Sequence, residues 1–263
     1  MTFDTGYNPE ELDREIRRLQ RDLSRREQAL ATLQDIQKGN SRLLGILLRD
    51  IEEEKRRSDG LLRNILPEDV ITRMSNGETT IADTIDSATV VFSDFVGFSA
   101  LSASMSAKQL VETLNEIYTE FDETAQRVGI EKIKTIGDAY LAVSGLDNNG
   151  CNHAEIAAEF ALSIRDIIRE KGKTFDGWRM RTGIHTGALT AGVIGTHKFA
   201  YDIWGDTVNI ASRVQDAATA NEVFVSFQTS QELDTKRFRL LDQDEVELKG
   251  RGLHTVYRID WCR

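Results

Sequence analysis

Two apolar stretches of this chain each run into a carboxylate, and no other feature restricts the fold as much. The first, Val90-Val91-Phe92-Ser93-Asp94-Phe95-Val96-Gly97-Phe98-Ser99, has the length and β-branched content of a buried strand, ends on Asp94 and enters a loop of glycine and small residues. The second, Ile133-Lys134-Thr135-Ile136-Gly137-Asp138-Ala139-Tyr140, reads as a hairpin turning at Gly137-Asp138 between apolar strands. An acid at the end of a buried strand costs desolvation free energy unless it has partners. A pair of such acids is what a hard divalent cation requires. A metal site on Asp94 and Asp138 is therefore expected, in a fold that brings these two strand ends together.

The segments around the acids alternate in period. A strand at 88–92 precedes a helix at 106–128, with Leu110, Leu114, Ile117, Tyr118 and Phe121 at helical spacing. A hairpin at 130–136 and 139–143, an amphipathic helix at 154–169, and strands at 178–186 and 188–194 come next. The core order is βαββαβ, the ferredoxin-like α+β arrangement. Its first and third strands are antiparallel neighbours at the sheet centre, which brings Asp94 beside Asp138. Beyond this core the pattern predicts a strand at 199–204, a helix at 207–217 and a strand at 223–226. A small hairpin of 238–241 with 246–249 and a closing strand at 254–259 complete it.

Ahead of that domain, a heptad places Leu12, Leu19, Leu33 and Leu47 at one core position and Ile16, Leu23, Leu30, Leu44 and Ile51 at the other. Arg26, Gln37 and Asn40 are the polar exceptions, and charges fill the flanks. The repeat favours a parallel coiled coil over a lone amphipathic helix packed on its own domain. Gly39-Asn40 interrupts the pattern, so a break into two helices is expected there. A second, charge-rich helical segment spans 50–66 and stops at Leu66-Pro67, because proline disfavours a helical residue before it. The resulting division is a polar, disordered N-terminus at 1–11, coil and charged helix at 12–66, a linker at 67–86 and a catalytic-size domain at 87–263.

Composition narrows the function classes. A chain of 263 residues with 40% hydrophobic content holds one such domain plus an extension. Its net charge of -10 argues against a general nucleic-acid or anionic-membrane binder, while leaving room for a local basic pocket. Cys151 and Cys262 lie far apart and suggest neither a disulfide framework nor a zinc site, which suits a reducing compartment. No apolar run reaches the roughly 18 residues of a membrane span. The polar, acidic start lacks the features of a secretory signal, so the cytoplasm is the expected location.

Several groups complete the candidate chemistry. Backbone amides of the loop Phe95, Val96, Gly97, Phe98 and Ser99 are suited to cradling phosphate oxygens. Lys134, Arg181, Arg213 and Lys249 are the candidate cations for a polyphosphate. Lys134 stands in an otherwise apolar strand, where the alternative reading is an edge lysine reaching for solvent. Asn209 and Arg213, four apart on a helix, share one face. Asp202 lies in an apolar strand, while Asp206 and Thr207 read as helix caps. His185 reads as a hydrogen-bonded core histidine rather than a ligand, and His153 and His197 as surface residues.

Phe92-Ser93-Asp94-Phe95-Val96-Gly97-Phe98, Thr135-Ile136-Gly137-Asp138-Ala139-Tyr140, Met180-Arg181-Thr182-Gly183-Ile184-His185-Thr186-Gly187 and Tyr201-Asp202-Ile203-Trp204-Gly205-Asp206-Thr207-Val208-Asn209-Ile210-Ala211-Ser212-Arg213 together resemble the catalytic domain of class III nucleotide cyclases. The match runs in motif order over about 87–259. Arg63-Asn64-Ile65-Leu66-Pro67, after a charged helix, resembles the signalling helix that precedes many such domains. The resemblance implies that Asp94 and Asp138 hold two magnesium or manganese ions. It further implies that Lys134 and Asp202 read the purine, that Asn209 and Arg213 hold the ribose and the transition-state phosphate, and that Arg181 and Lys249 bind the triphosphate. It implies a homodimer, with the metal carboxylates of each site from one copy and the purine and transition-state residues from the other.

Hydrogen-bond polarity selects the base. Adenine offers an N6 donor and an N1 acceptor, which suit Asp202 and Lys134, whereas guanine presents the opposite pattern. Guanylate cyclases typically carry Glu and Cys at these two positions. ATP is the expected substrate, with a guanylate cyclase and a catalytically inactive nucleotide-binding dimerisation module as the alternatives. The coil is expected to take its input from an upstream sensor domain or a regulator docked on it.

Overall fold

The structure, a computed structural model, describes residues 9–63, 65–147, 150–172, 177–195, 199–248 and 252–262. The chain divides into two compact units, Met1–Ile65 and Leu66–Arg263.

The first unit is helix α1, Pro9–Arg63, of 55 residues. It runs unbroken through Gly39-Asn40 and on through the charged segment, so the expected break is absent and the two expected helices are one. One helical glycine costs about 1 kcal/mol, and the long flanking turns of good helix formers outweigh it. The heptad residues from Leu12 to Ile51 stand 44% to 63% exposed.

In the second unit, most of the stretch read as a linker is folded. Helix α2, Glu68–Ser75, starts after Pro67, and its Val70 packs with Leu66 and Ile81 in a small core. Arg73 fastens α2 to the polar segment on its C-terminal side, bonding Glu78 at 2.7 Å and Asp83 at 2.5 Å. Strand β1, Ala82–Phe95, starts well before 88; its first half is largely exposed and polar, which hides it from a hydrophobic pattern. After β1 come α3 (Phe98–Ala103), α4 (Ala107–Val128), β2 (Glu131–Ile136), β3 (Ala139–Ser144) and α5 (His153–Lys171). The chain continues through β4 (Met180–Ile194), β5 (Ala200–Trp204), α6 (Asp206–Ala217), β6 (Val223–Ser226), α7 (Phe227–Ser230), β7 (Phe238–Leu248) and β8 (Gly252–Trp261).

Local chemistry marks the helix ends. Ser106 and Gln109 form a reciprocal capping box at the start of α4, and Gly129 closes it in the left-handed conformation. Asn152 accepts from the amides of Ala154 and Glu155 at the start of α5.

The sheet order is β2-β3-β1-β4-β6-β8-β7, with β5 paired to β4. The first four strands carry the expected ferredoxin-like order, and β3 and β4 both run antiparallel to β1. Two expected strands at 178–194 are one strand, β4, which pairs with β1 and, at its far end, with β5. The expected small hairpin is also a single strand: 238–241 and 246–248 both belong to β7, which pairs with β8 and shifts register between Leu240 and Gln243. Its polar middle, Asp242-Gln243-Asp244-Glu245, resembles a turn in sequence, yet an edge strand tolerates such charges.

Apolar cores fill both faces of the sheet. On one, Val91, Phe95 and Tyr140 pack against Ile117 and Phe121 of α4 and Phe160 and Ile164 of α5. On the other, Val90, Leu141, Leu189 and Ile203 pack with Ala211 of α6. Gly183 sets how closely α6 approaches: a Cβ there would lie 2.1 Å from the Gln215 nitrogen and 2.5 Å from the Ala211 oxygen. Any side chain at this position forces the helix off the sheet.

His185 is the core histidine expected, with Nδ1 2.7 Å from Ser226 Oγ. His153 is not a surface residue, because its Nδ1 lies 2.8 Å from Thr89 Oγ1 and 3.8 Å from Glu232. His197 lies outside the described residues.

Burial, aided by the charge of His254, pushes His185 down to about 4. The unfolded chain protonates near 6.5 while the fold keeps the ring neutral, so stability falls as pH drops from about 6.5 towards 4. The loss reaches about 3 kcal/mol at the lower end. Urea unfolding at pH 7 and pH 5 should show about 2 kcal/mol of this loss, and His185→Gln should remove this part of the pH dependence.

Candidate active site

Strand register builds the first half of the site. Ser93 of β1 pairs with Tyr140 of β3, which sets Asp94, at the end of β1, beside the turn that carries Asp138. Burial and then the Asp94 carboxylate hold Asp138 above the usual carboxylate range, with Arg181 opposing the shift. Arg181 is the cross-strand partner of Asp94 on β4, and its Nη2 lies 3.1 Å from Asp94 Oδ2. The same nitrogen is 3.4 Å from the carboxylate of Asp216 on α6.

These acids suit a divalent cation. Two carboxylates forced together gain by sharing a positive charge, and a buried hydroxyl beside them lacks a partner. That hydroxyl belongs to Tyr118. Its ring packs between Phe95 and Tyr140, and burial, then Asp138 and Asp94, raise its phenol well above the usual range. Among the described residues no group of three or more His, Cys, Asp or Glu side chains is arranged to hold a metal ion. The remaining positions of a magnesium shell would be taken by phosphate oxygens and water, its usual manner of binding.

The loop after Asp94 is narrower as a phosphate cradle than its sequence suggests. Phe95 is buried in the aromatic cluster, 4.8 Å from Trp178 between ring centroids. Phe98 packs against the same cluster. The Val96 amide already donates to the Arg179 carbonyl at 2.8 Å. What remains is the backbone of Gly97, Phe98 and Ser99 at the start of α3, where Gly97 adopts φ 73°. Amides in a first helical turn have no intrahelical acceptor and can meet an anion.

A second pair of groups meets between β2 and β5. Lys134 of β2 and Asp202 of β5 form a direct ion pair although their strands are not neighbours in the sheet. The other oxygen of Asp202 accepts from its neighbour's amide, Ile203, at 2.9 Å, which fixes the carboxylate plane. Asn209 and Arg213 lie on one face of α6, Asn209 exposed and Arg213 half-buried. Helix α6 begins one residue earlier than read, with Gly205 at its N-cap; Asp206 occupies the first turn, where a negative charge suits the helix dipole. Thr207 donates its hydroxyl to the Ala188 carbonyl instead of capping. Lys249 lies outside the described residues.

Two residues of this neighbourhood escaped the sequence reading. Tyr118 looked like one more apolar position in the helical stripe of α4. Asp216, one turn beyond Arg213, carried no signal at all, since its contact with Arg181 exists only in the folded chain.

The domain thus carries paired acids at its central strands and, apart from them, the Lys134–Asp202 ion pair. The sequence pattern of the adenylate and guanylate cyclase catalytic domain matches residues 81–260, and the chain belongs to that family. It is 42% identical to atrial natriuretic peptide receptor 2 of Homo sapiens over 210 residues, which cover 78% of this chain and 20% of the receptor. Against an adenylate cyclase of Mycobacterium tuberculosis it is 36% identical over 212 residues, covering 80% of this chain and 48% of the relative. This chain therefore spans about a fifth and about half, respectively, of these two relatives. Among solved structures it resembles the guanylate cyclase domain of RhGC from Catenaria anguillulae in complex with GTP, at 36% identity and a TM-score of 0.63. That match covers 69% of this chain and 100% of the other. No helix among the described residues is long and apolar enough to cross a membrane.

Because the buried Tyr118 hydroxyl has no hydrogen-bond partner, Tyr118→Phe should leave stability unchanged or raise it by up to about 1 kcal/mol. Tyr140, whose hydroxyl donates to Asp122 at 2.8 Å, should lose about 1–2 kcal/mol as Phe. Urea unfolding of both variants in chelator-treated buffer checks the contrast.

Proposed function

We propose that this chain is an adenylate cyclase, converting ATP to 3′,5′-cyclic AMP and pyrophosphate at sites shared by two copies. The observation that carries the choice of purine is the Lys134–Asp202 pair. Asp202 accepts from the adenine N6 amine and Lys134 donates to N1, while guanine in the same placement presents its O6 acceptor to the carboxylate and its N1–H donor to the ammonium. A second reading, GTP to cyclic GMP, is favoured by the similarity to the GTP-bound RhGC domain.

In this reading Asp94 and Asp138 hold two magnesium or manganese ions. When bound, these supply activation of the ribose 3′-hydroxyl and neutralise the leaving pyrophosphate. The chain's own groups do the rest. Asn209 orients the ribose so that the 3′-oxygen lies in line with the α-phosphorus. Arg213 stabilises charge on the transferring phosphoryl, Arg181 and Lys249 hold the triphosphate, and the amides of 97–99 receive its oxygens. Asp94 pairs with Arg181 and Lys134 pairs with Asp202, as two separate groups. This arrangement suits a homodimer in which each copy lends one half to each site. Two α1 helices paired in parallel through their exposed heptad residues would supply the regulatory input, received from a sensor domain or a docked regulator.

Chromatographic product identification with ATP and with GTP, each in magnesium and in manganese, tests the reading. Cyclic AMP should dominate, and a strong GTP preference would overturn the purine assignment. Asp94→Ala should lower turnover by more than about 100-fold, beyond the usual cost of a supporting contact, while sedimentation still reports a dimer. Full activity in that variant would remove the metal role.

A further inference from the structure

Arg181 stands where two roles collide. Its Nη2 lies 3.1 Å from Asp94 Oδ2 and 3.4 Å from Asp216 Oδ1, and its Nη1 donates to the Asp216 carbonyl at 3.4 Å. Its Nε is buried without a hydrogen-bond partner. The guanidinium thus makes its shortest contact with the carboxylate assigned to the metal.

We propose that Arg181 is a built-in counter-ion that occupies the cation's place at Asp94, and that a divalent cation must displace it before it can take the triphosphate. The inference rests on the metal reading of Asp94 and Asp138 and adds an order of events to it. A guanidinium and a divalent cation on one carboxylate repel each other, so metal entry breaks the Asp94–Arg181 pair. The pair is only partly exposed, at 30% for Arg181 and 20% for Asp94, so water compensates its loss incompletely. Asp216, at 65% exposure, is the weaker partner and keeps the released guanidinium near the site without holding it fast. A polyphosphate then replaces the lost carboxylate contact and also satisfies the orphaned Nε. Metal and nucleotide consequently bind with positive coupling, and each raises affinity for the other by the same factor. A site built this way binds metal poorly alone and firmly with substrate.

The test is Mn2+ binding, read by electron paramagnetic resonance, with and without the non-cyclising analogue 3′-deoxy-ATP. Removing the internal competitor has an unusual sign. Arg181→Met should bind Mn2+ without nucleotide about fivefold more tightly than the parent chain, and the extra tightening brought by 3′-deoxy-ATP should shrink by a similar factor. Arg181→Lys keeps a positive charge at the site and should stay near the parent affinity, which separates charge from packing. Thermal melts establish that both variants fold. Equal or weaker nucleotide-free Mn2+ binding by Arg181→Met would overturn the counter-ion role. Asp94→Asn distinguishes this failure from a deeper one: if it binds Mn2+ as the parent does, the metal reading falls and the inference falls with it.

Discussion

Two carboxylates held side by side at the end of a sheet are an unfavourable arrangement, and much of this domain is organised to impose it. Nothing local draws Asp94 and Asp138 together. They meet because β1 and β3 pair in a register that places Ser93 opposite Tyr140, and that register is set by the residues behind it. Val90 and Val91 of β1 and Leu141 and Ala142 of β3 are wholly or almost wholly buried against the helices on either face. A slip of one residue would turn every one of these side chains to the wrong face. The apolar free energy stored in the cores therefore holds the acids in place against their own repulsion, and burial first and the Asp94 carboxylate second raise the proton affinity of Asp138.

Helix α6 depends on a different constraint, closeness instead of register. Its backbone lies so near β4 at Gly183 that no side chain fits between them. That approach puts Asp216 within reach of Arg181, while the preceding turns present Asn209 and Arg213 along one face. One glycine without a side chain thus couples the transition-state residues proposed for one site to the arginine beside the acids of the other.

The meeting of Asp94 and Asp138 was legible in the sequence because the hairpin and helix connections leave a βαββαβ order few ways to fold, and the alternation in period marked each element. The front half of β1 was not, since strand residues such as Asp83, Thr84 and Asp86 look like loop when one side of the strand faces solvent. The polar middle of β7 failed to register as strand for the same reason. Gly39-Asn40 misled in the opposite direction, because helix cooperativity over many turns exceeds the cost of one poor residue. The Lys134–Asp202 pair became a contact only through the path of β5. Tyr118 and Asp216 were invisible because what matters about them, a missing partner and a competing carboxylate, is a property of three elements packed together and not of any spacing.

The unbroken course of α1 changes what its polar core slots mean. Had the helix broken at Gly39-Asn40, those residues would mark a hinge. In a continuous helix Asn40 falls in the heptad core between Leu33 and Leu47, with Gln37 one slot before it. In a parallel pair, a buried asparagine at such a position costs stability and selects one register, because displaced registers leave its amide unpaired. In such a pair Arg26 would act in the same sense further back, where a displaced register would set its charge against leucine. A helix whose apolar stripe is broken at intervals in this way is poor at maximal stability and good at defining which residues face each other. That is the property needed where the product depends on how two half-sites are aligned, since small errors in positioning reacting groups cost large factors in rate.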